Sequence, residues 1–282
     1  MKKIFFLISI ITLLSYFKAS ANRSLYVNNF SSILGNEHAE NNLLSYAQLN
    51  KIETLLLYEF YLVVDKYDLS NPTSNFILAK FISKAKTKFN IKKIGVIAEN
   101  SSIFEFSIIP YNNSRNNSIE KVDIFNLEFE FWRSTNVNPS GIFCNQYLAP
   151  NGFSCNNNGG FKFFISTLKK MKSLAKNNSH PISTEAYVGW LTKKQARIIS
   201  KSLDRILVHA YVSNPKKALA YSKERIINLA KGKSGLNVSI IFESEPKYMQ
   251  QWLEENSMIS AENIFLSDWN NVSEKWKRKI NI

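Results

Sequence analysis

Polar side chains interrupt an otherwise apolar run, residues 123–132, that has the composition of a β-strand. They are Asp123, Asn126, Glu128 and Glu130. The last three share one parity, so on a strand their side chains point to the same face. Burying such a row is costly unless its members are hydrogen-bonded or used, and like charges push their pKa values apart. A carboxylic acid that stays protonated near neutral pH can protonate the leaving oxygen of a glycosidic bond, so this run is a candidate acid–base site.

Apolar runs rich in β-forming residues alternate with amphipathic runs along the rest of the chain. Eight strands that alternate with helices over residues 22–282 predict an α/β fold, a single-domain (β/α)8 or TIM barrel. An open, doubly wound sheet is the alternative, but the turn after the first strand lacks a glycine-rich phosphate-binding pattern. The predicted strands are residues 24–30, 54–60, 93–99, 122–132, 183–191, 205–212, 237–244 and 263–269.

Acidic residues lie near the ends of several predicted strands, where the active sites of barrels of this kind are found. Glu59 and Glu99 come near the ends of strands 2 and 3, and they are either hydrogen-bond partners for a sugar or solvated loop residues. Glu243 lies near the end of predicted strand 7, and Glu245 comes directly after it. Either of these two carboxylates could act together with Glu130.

Three tryptophans also lie at predicted strand ends. Trp132 follows Glu130, Trp190 ends strand 5 and Trp269 ends strand 8. One tryptophan alone indicates packing more often than binding. Three on one rim favour stacking on the faces of a bound carbohydrate.

His209 lies on predicted strand 6, two residues before Tyr211 and with the same parity. We expect a hydrogen-bonded core histidine there, because no paired histidine or metal-ligand cluster accompanies it. The chain also lacks the Gly-x-Ser-x-Gly elbow of serine hydrolases. The sequence therefore predicts no cofactor and no bound metal.

The amino-terminal segment, residues 1–21, has the pattern of a secretory signal peptide. Two lysines precede an apolar run, which ends at Ala-Ser-Ala. An uncleaved anchor helix is the alternative, although the run is short for a membrane span. No second run is long enough to cross a membrane, so we expect export to the periplasm or the medium.

The formal net charge of the chain is +14, but its lysines are spread along predicted helices. That distribution is typical of solvated helix faces, and export argues against a nucleic-acid partner. The two cysteines, Cys144 and Cys155, lie in one Gly/Asn/Pro-rich loop over residues 134–160. In an exported chain this pair predicts a disulfide that closes the loop, since the loop has no further ligands for a metal site.

The spacing Asp-x-x-Asn-x-Glu-x-Glu, which runs from Asp123 to Glu130, resembles the strand-4 signature of chitinase-type glycoside hydrolases (family 18), Asp-x-x-Asp-x-Asp-x-Glu. The resemblance implies that Glu130 is the general acid and that Glu128 orients the acetamido group of the substrate. It further implies substrate-assisted catalysis, in which the N-acetyl oxygen attacks the anomeric carbon. Asn126 stands where that signature has Asp, and Glu128 stands where it has the next Asp.

Two isolated residues extend the same resemblance. Tyr211 is similar to a strand-6 tyrosine of that family, which implies a hydrogen bond to the acetamido group. Trp269 is similar to the strand-8 tryptophan, which implies stacking beneath the sugar. The implied partner is therefore a glycan that contains N-acetylhexosamine, bound by a monomer.

Other functions fit some of the same residues. A retaining glycosidase could use Glu130 with Glu243 or Glu245, whose carboxyl groups would have to lie about 5–5.5 Å apart. A non-catalytic, chitinase-like protein would bind the glycan without turnover. A structural exported protein would use the carboxylates only as a hydrogen-bonded plug. The catalytic hypothesis fails if Glu130 is both paired with an Arg or Lys and closed off from solvent.

Overall fold

The computed structural model describes residues 23–242, 258–272, 274–277 and 279–282. The predicted signal peptide, Glu243 and Glu245 lie outside the described residues. None of the helices in these ranges has the length and apolarity to cross a lipid bilayer.

Eight parallel strands form one sheet whose spatial order is the order of the chain, β1 to β8. Adjacent strands pair in parallel throughout. The strands are β1 (Arg23–Val27), β2 (Ile52–Leu57), β3 (Lys93–Ala98), β4 (Ile124–Leu127), β5 (Ser183–Val188), β6 (Arg205–His209), β7 (Leu236–Ile241) and β8 (Ile280–Asn281).

Helices connect the strands, as parallel neighbours require. The α-helices are α1 (Phe30–Ile33), α2 (Glu37–Leu49), α3 (Tyr61–Lys66), α4 (Phe76–Lys88), α5 (Ile109–Ser114), α6 (Ser134–Val137), α7 (Asn157–Lys176), α8 (Lys193–Ile199), α9 (Ala218–Ala230), α10 (Met258–Asn270) and α11 (Glu274–Lys277). Short π-helical turns span Phe104–Ile108 and Cys144–Leu148, and 3-10 turns span Ser118–Glu120, Ala149–Asn151 and Pro215–Lys217.

The first seven predicted strands overlap the first seven strands of the structure, but the prediction of strand 8 is wrong. Residues 263–269 lie within α10, and β8 is the short segment Ile280–Asn281. Phe265 and Trp269 are four residues apart and both are buried. A spacing of four residues places both side chains on one face of a helix. The prediction interpreted this apolar segment with the two-residue period of a strand, which was wrong.

Side chains from distant strands meet on the concave face of the sheet, which shows that the sheet is curled. Arg205 of β6 places Nη1 3.3 Å from Oγ of Ser24 on β1 and 3.4 Å from Oγ of Ser239 on β7. The Tyr26 hydroxyl of β1 lies 3.4 Å from Oδ1 of Asn126 on β4. In the described residues β8 pairs with β7 alone, so the sheet is a half-barrel compatible with a TIM-like fold.

Two apolar clusters stabilise this arrangement. The larger one lies between the sheet and its helices, and it includes Phe81 of α4, Phe125 of β4 and Phe164 of α7. The smaller one fills the concave face and consists of Leu56, Ile97, Ile124 and Leu207. Residues of opposite parity on each strand thus serve the outer and the inner layer. Polar side chains occupy the inner face on both sides of this small cluster, toward the two ends of the strands.

The predicted disulfide between Cys144 and Cys155 is confirmed, with a Cα–Cα distance of 5.1 Å. It closes the long loop between β4 and α7 at its π-helical turn. Inside that turn Tyr147 faces the carboxyl ends of the strands, where it hydrogen-bonds Glu99. The disulfide therefore holds a segment that contributes directly to the candidate site.

Candidate functional site

The candidate site lies at the carboxyl ends of β1 to β6, and β4 supplies its first member. Asn126 is fully buried on the inner face of β4. Its Oδ1 accepts a hydrogen bond from the Tyr26 hydroxyl at 3.4 Å, and its Nδ2 lies 3.5 Å from Oε2 of Glu185. Glu185 is itself paired with Arg205 at 2.7 Å. Asn126 therefore joins the site to a polar layer beneath it.

Glu128 follows the end of β4 and stays on the inner face, as its parity predicts. Its backbone N–H donates to the Ala98 carbonyl at 3.0 Å, which extends the pairing with β3 by one residue. Its Oε2 is buried and has no hydrogen-bond partner in the described part of the protein. Burial, together with the charges of Glu130 and Glu99 and against the opposing charge of Arg133, raises the pKa of Glu128 to about 8. Glu128 is thus protonated at neutral pH.

Glu130 lies nearer to solvent and is held from two sides. Its Oε2 lies 3.0 Å from Nε of Arg133, three residues later. Its Oε1 lies 3.5 Å from the Tyr187 hydroxyl of β5. Burial raises the pKa of Glu130, whereas the charge of Arg133 and the hydrogen bond from Tyr187 lower it. The Glu130 side chain is 16% exposed and that of Arg133 57% exposed, so Glu130 is paired but not closed off from solvent.

Glu99 joins these two carboxylates from the end of β3. Its Oε2 accepts a hydrogen bond of 2.6 Å from the Tyr147 hydroxyl in the disulfide-closed loop. The Tyr58 hydroxyl, at the end of β2, lies in the combined field of these acids. Burial raises the pKa of Tyr58 above its ordinary value, and the charges of Glu128 and Glu99 add to the effect. The acidic mouth that the sequence predicted is therefore present around β2, β3 and β4.

Glu59 belongs to the same rim but has a local partner. It adopts a left-handed backbone conformation, with φ of 52°. Its Oε2 accepts from the backbone N–H of Asn29 at 3.3 Å, which ties the loop after β2 to the loop after β1. We interpret Glu59 as a residue that fixes these two loops.

Aromatic and imidazole groups of β5 and β6 complete the site. The Tyr187 hydroxyl lies 3.3 Å from Nδ1 of His209. The Tyr211 ring stacks on Tyr187 at 6.3 Å between centroids and meets His209 edge-on at 5.0 Å. Burial, with the nearby Arg225 and Arg133 charges, lowers the pKa of His209 to about 3, so its imidazole is neutral.

The three tryptophans differ in their surroundings. Trp132 packs against Tyr187 at 5.6 Å and against Gly189, where an added Cβ would lie 2.4 Å from Nε1 of Trp132. Trp190 is 53% exposed at the rim. Trp269 is 5% exposed within the hydrophobic core and lies on α10. The prediction that places Trp269 at a strand end is wrong, because its segment is helical.

Asp123 lies apart from the other members of its motif, at the amino-terminal end of β4. Its carboxylate is 2.7 Å from Nζ of Lys86 on α4 and 3.0 Å from Nε2 of His180. It also accepts from the backbone N–H of Ile94 at 2.9 Å. Its odd parity turns it toward the helix layer, so the structure corrects its placement in the catalytic group. Asp123 anchors α4 and the loop before β5.

Several residues of the site were not selected from the sequence. Tyr187 was not selected, although it shares the parity of Glu185 on β5 and this two-residue alternation is the signal that would have predicted an inward-facing tyrosine. Arg133 stands three residues after Glu130, a spacing at which side chains pair in a turn. Arg225 lies on a helix and carries no local signal. They are joined by further tyrosines from other elements: Tyr26, Tyr58, Tyr147 and Tyr221.

A cavity of about 500 Å³ opens at the opposite, amino-terminal end of the strands. Its lining includes Glu185, Arg205 and Ser239. Arg205 pairs with Glu185 and lies within hydrogen-bond distance of Ser239, so these groups are satisfied within the chain. The carboxyl end, where Glu128 has an unpartnered oxygen, is the better candidate for chemistry.

No protein-family model matches the chain, and no curated protein matches it significantly. The assignment of function therefore depends on the geometry of the site.

The disulfide between Cys144 and Cys155 is expected to contribute to the stability of the protein. Replacing Cys144 and Cys155 together with Ser is expected to lower the free energy of unfolding by about 2–3 kcal/mol, from the loop-closure entropy of the unfolded chain. Urea unfolding of both forms measures the difference. Wild type treated with dithiothreitol is the control and should match the double variant. Equal stability of variant and oxidised wild type would show that the disulfide constrains little.

Proposed function

We propose that the protein is an exported glycoside hydrolase that acts on glycans containing N-acetylhexosamine, with Glu130 as the general acid. The observation that carries the proposal is the gathering of Glu99, Glu128 and Glu130 at the carboxyl ends of β3 and β4. Burial and mutual charge raise the pKa of Glu128, and burial raises that of Glu130. The disulfide supports export, and the curled parallel sheet supports a scaffold of the (β/α)8 type.

In the proposed reaction Glu130, in its protonated form, gives its proton to the glycosidic oxygen. The C1–O bond breaks while the N-acetyl oxygen of the substrate forms a bond to C1, so no enzyme nucleophile is required. Glu128 contacts the acetamido group, and Tyr211 hydrogen-bonds it. Water then adds to C1 as the bond between C1 and the N-acetyl oxygen breaks, and it loses a proton to the Glu130 carboxylate, which restores the acid and the N-acetyl group.

Tyr187 and Arg133 set the state of the acid. The Tyr187 hydroxyl touches Glu130 on one side, and Arg133 pairs with it on the other. The side chain of Arg133 is largely exposed, so a bound sugar can displace it at modest cost. Displacement removes the cation that favours the ionised carboxylate, and the pKa of Glu130 then rises toward that of a proton donor.

Glycan binding without turnover is the second candidate, and one contact favours it. The ion pair of 3.0 Å between Arg133 and Glu130 favours the ionised carboxylate, whereas a proton donor must be protonated. In a binding protein this pair would simply persist. A retaining mechanism would instead need Glu243 or Glu245, which lie outside the described residues.

The experiment that tests the proposal is hydrolysis of a panel of N-acetylglucosamine-containing glycans by the purified protein. We expect turnover by wild type and its loss in Glu130→Gln. Glu224→Gln is the matched control, since it makes the same change on the exposed face of α9. Binding without turnover by wild type would move the assignment to a glycan-binding protein. Neither binding nor turnover would refute both functions.

A further inference from the structure

Arg225 of α9 is a buried cation, 3% exposed, at the rim of the candidate site. Its Nη2 donates to the carbonyl of His209 at 2.9 Å and to that of Tyr221 at 3.0 Å. Its Nε and Nη1 have no hydrogen-bond partner in the described residues. The guanidinium thus caps the end of β6 with one nitrogen and leaves the other two unused.

A buried guanidinium is ordinarily paired with a carboxylate, because removing the charge from water is expensive. In the described part of the chain Arg225 forms no ion pair. Burial lowers the pKa of Arg225 to about 10, so the group still carries its charge at neutral pH. Among the described residues, its compensation beyond the two carbonyls is stacking on Trp190, with 4.6 Å from Cζ to the ring centroid, and on Tyr221, with 4.9 Å.

A second unpartnered polar group lies under the same tryptophan. His209 has its Nδ1 beside the Tyr187 hydroxyl, and its buried Nε2 has no partner in the described residues. The single hydrogen of the Tyr187 hydroxyl goes either to Glu130 or to Nδ1 of His209. When Glu130 is protonated and Tyr187 donates to Nδ1, the neutral imidazole carries its hydrogen on Nε2 and becomes a donor. The Trp190 ring meets that imidazole edge-on at 6.0 Å between centroids.

The Trp190 side chain thus lies over the nitrogen atoms of Arg225 and His209 that have no hydrogen-bond partner in the described residues. It follows β5 directly, and its side chain is half exposed although both groups beneath it are buried. The covered donors are adjacent to the proposed acid, since Tyr187 contacts both His209 and Glu130. A group held by Arg225 would therefore belong to the same ligand that Glu130 protonates.

We propose that Arg225 and His209 form a subsite for an anionic substituent of the ligand, a carboxylate or a sulfate, which enters when the Trp190 ring moves aside. An oxyanion accepts from Nε or Nη1 of Arg225 and from Nε2 of His209, and it supplies the negative charge that the guanidinium lacks. The preferred substrate class is then an acidic glycan. That refinement rests on the proposed function, whereas the anion site itself does not.

The first arm of the test uses defined tetrasaccharides and direct binding by calorimetry. A hyaluronan tetrasaccharide carries carboxylates, a sulfated keratan tetrasaccharide carries sulfate, and chitotetraose is neutral. We expect at least one acidic ligand to bind wild type about tenfold or more tightly than chitotetraose, the usual effect of a charge-assisted hydrogen bond. The better of the two acidic ligands identifies the oxyanion.

The variants separate the subsite from general charge attraction. Arg225→Gln should lose the preference for the acidic ligand, and Arg225→Lys should keep part of it. Arg197→Gln removes the same charge from the exposed face of α8 and should keep all of it. Trp190→Ala removes the cover and should also keep the preference. Equal loss in Arg225→Gln and Arg197→Gln, or no preference in wild type, would overturn the subsite.

A second arm keeps the subsite testable if no glycan binds. Sodium sulfate, compared with sodium chloride at equal ionic strength, should raise the Tm of wild type and of Arg197→Gln more than that of Arg225→Gln. This result would support the anion site while the glycan function fails. An equal rise in all three proteins would show that Arg225 only caps β6 and stacks on aromatic rings.

Discussion

Glu128→Gln is expected to remove most of the loss of stability that wild type shows as pH rises from about 4.5 to about 8. The pKa of Glu128 is raised in the folded protein, so the folded state keeps this proton after the unfolded chain has released it. Below the pKa of the unfolded chain, Glu128 is protonated in both the folded and the unfolded state, and its full contribution to the free energy of unfolding is present. Between the two values this contribution falls by about 1.36 kcal/mol per pH unit, on the order of 5 kcal/mol in all. Glutamine is neutral throughout and has nearly the same shape.

Urea unfolding from pH 4 to pH 9 measures this difference. The stability of wild type minus that of Glu128→Gln should fall steadily across the window and level off above it. Glu224→Gln, an exposed change of the same kind, should follow wild type at every pH. Parallel curves for wild type and Glu128→Gln would mean that the Glu128 carboxyl is solvated in the folded protein.

Glu130→Gln is expected to lower kcat/KM by about 10²–10⁴-fold on any glycan that wild type hydrolyses, the usual contribution of a positioned general acid. Arg133→Gln should act in another way. A general acid must be protonated, so activity is lost as pH rises through its pKa. The charge of Arg133 lowers the pKa of Glu130, and its removal should move the basic limb of the pH–rate profile to higher pH.

The pH dependence of kcat/KM for wild type and Arg133→Gln checks this shift, with Arg197→Gln as the matched loss of charge. Activity near neutral pH should rise in Arg133→Gln, because more of Glu130 is protonated there. If the basic limb lies at the same pH in both proteins, a group other than Glu130 titrates in that limb, and Glu128 is the next candidate. Activity retained in Glu130→Gln would remove that residue as the acid.

The contrast between Glu128 and Glu130 shows how one strand gives two carboxyl groups different states. Both follow β4 on its inner face, two residues apart. Glu128 points into the half-barrel, where its Oε2 is buried and has no hydrogen-bond partner among the residues that the structure describes. Glu130 reaches the rim, where Arg133 and Tyr187 stabilise its charge. The different surroundings of the two carboxyl groups therefore separate their pKa values, although both follow the same strand.

The sequence alone determined the alternation of strands and helices, the disulfide and the inward row of β4. These features depend on local order. The two-residue period of a strand fixes which side chains share a face, and the two cysteines of the chain lie in one loop. The parity of Asn126, Glu128 and Glu130 was therefore readable, and the structure places all three on the inner side.

Which candidate residues contact one another was decided only by the tertiary structure. Trp269 lies in the core on a helix, and its apolar segment of seven residues was too short to distinguish a helix from a strand. The parity of Asp123 directs it outward, but its ion pair with Lys86 depends on the packing of α4. Arg225 reached the site through the packing of α9 on β6, a contact between elements that no spacing along the chain encodes. Periodicity assigns a side chain to a face, whereas burial and ion pairing depend on how distant segments pack.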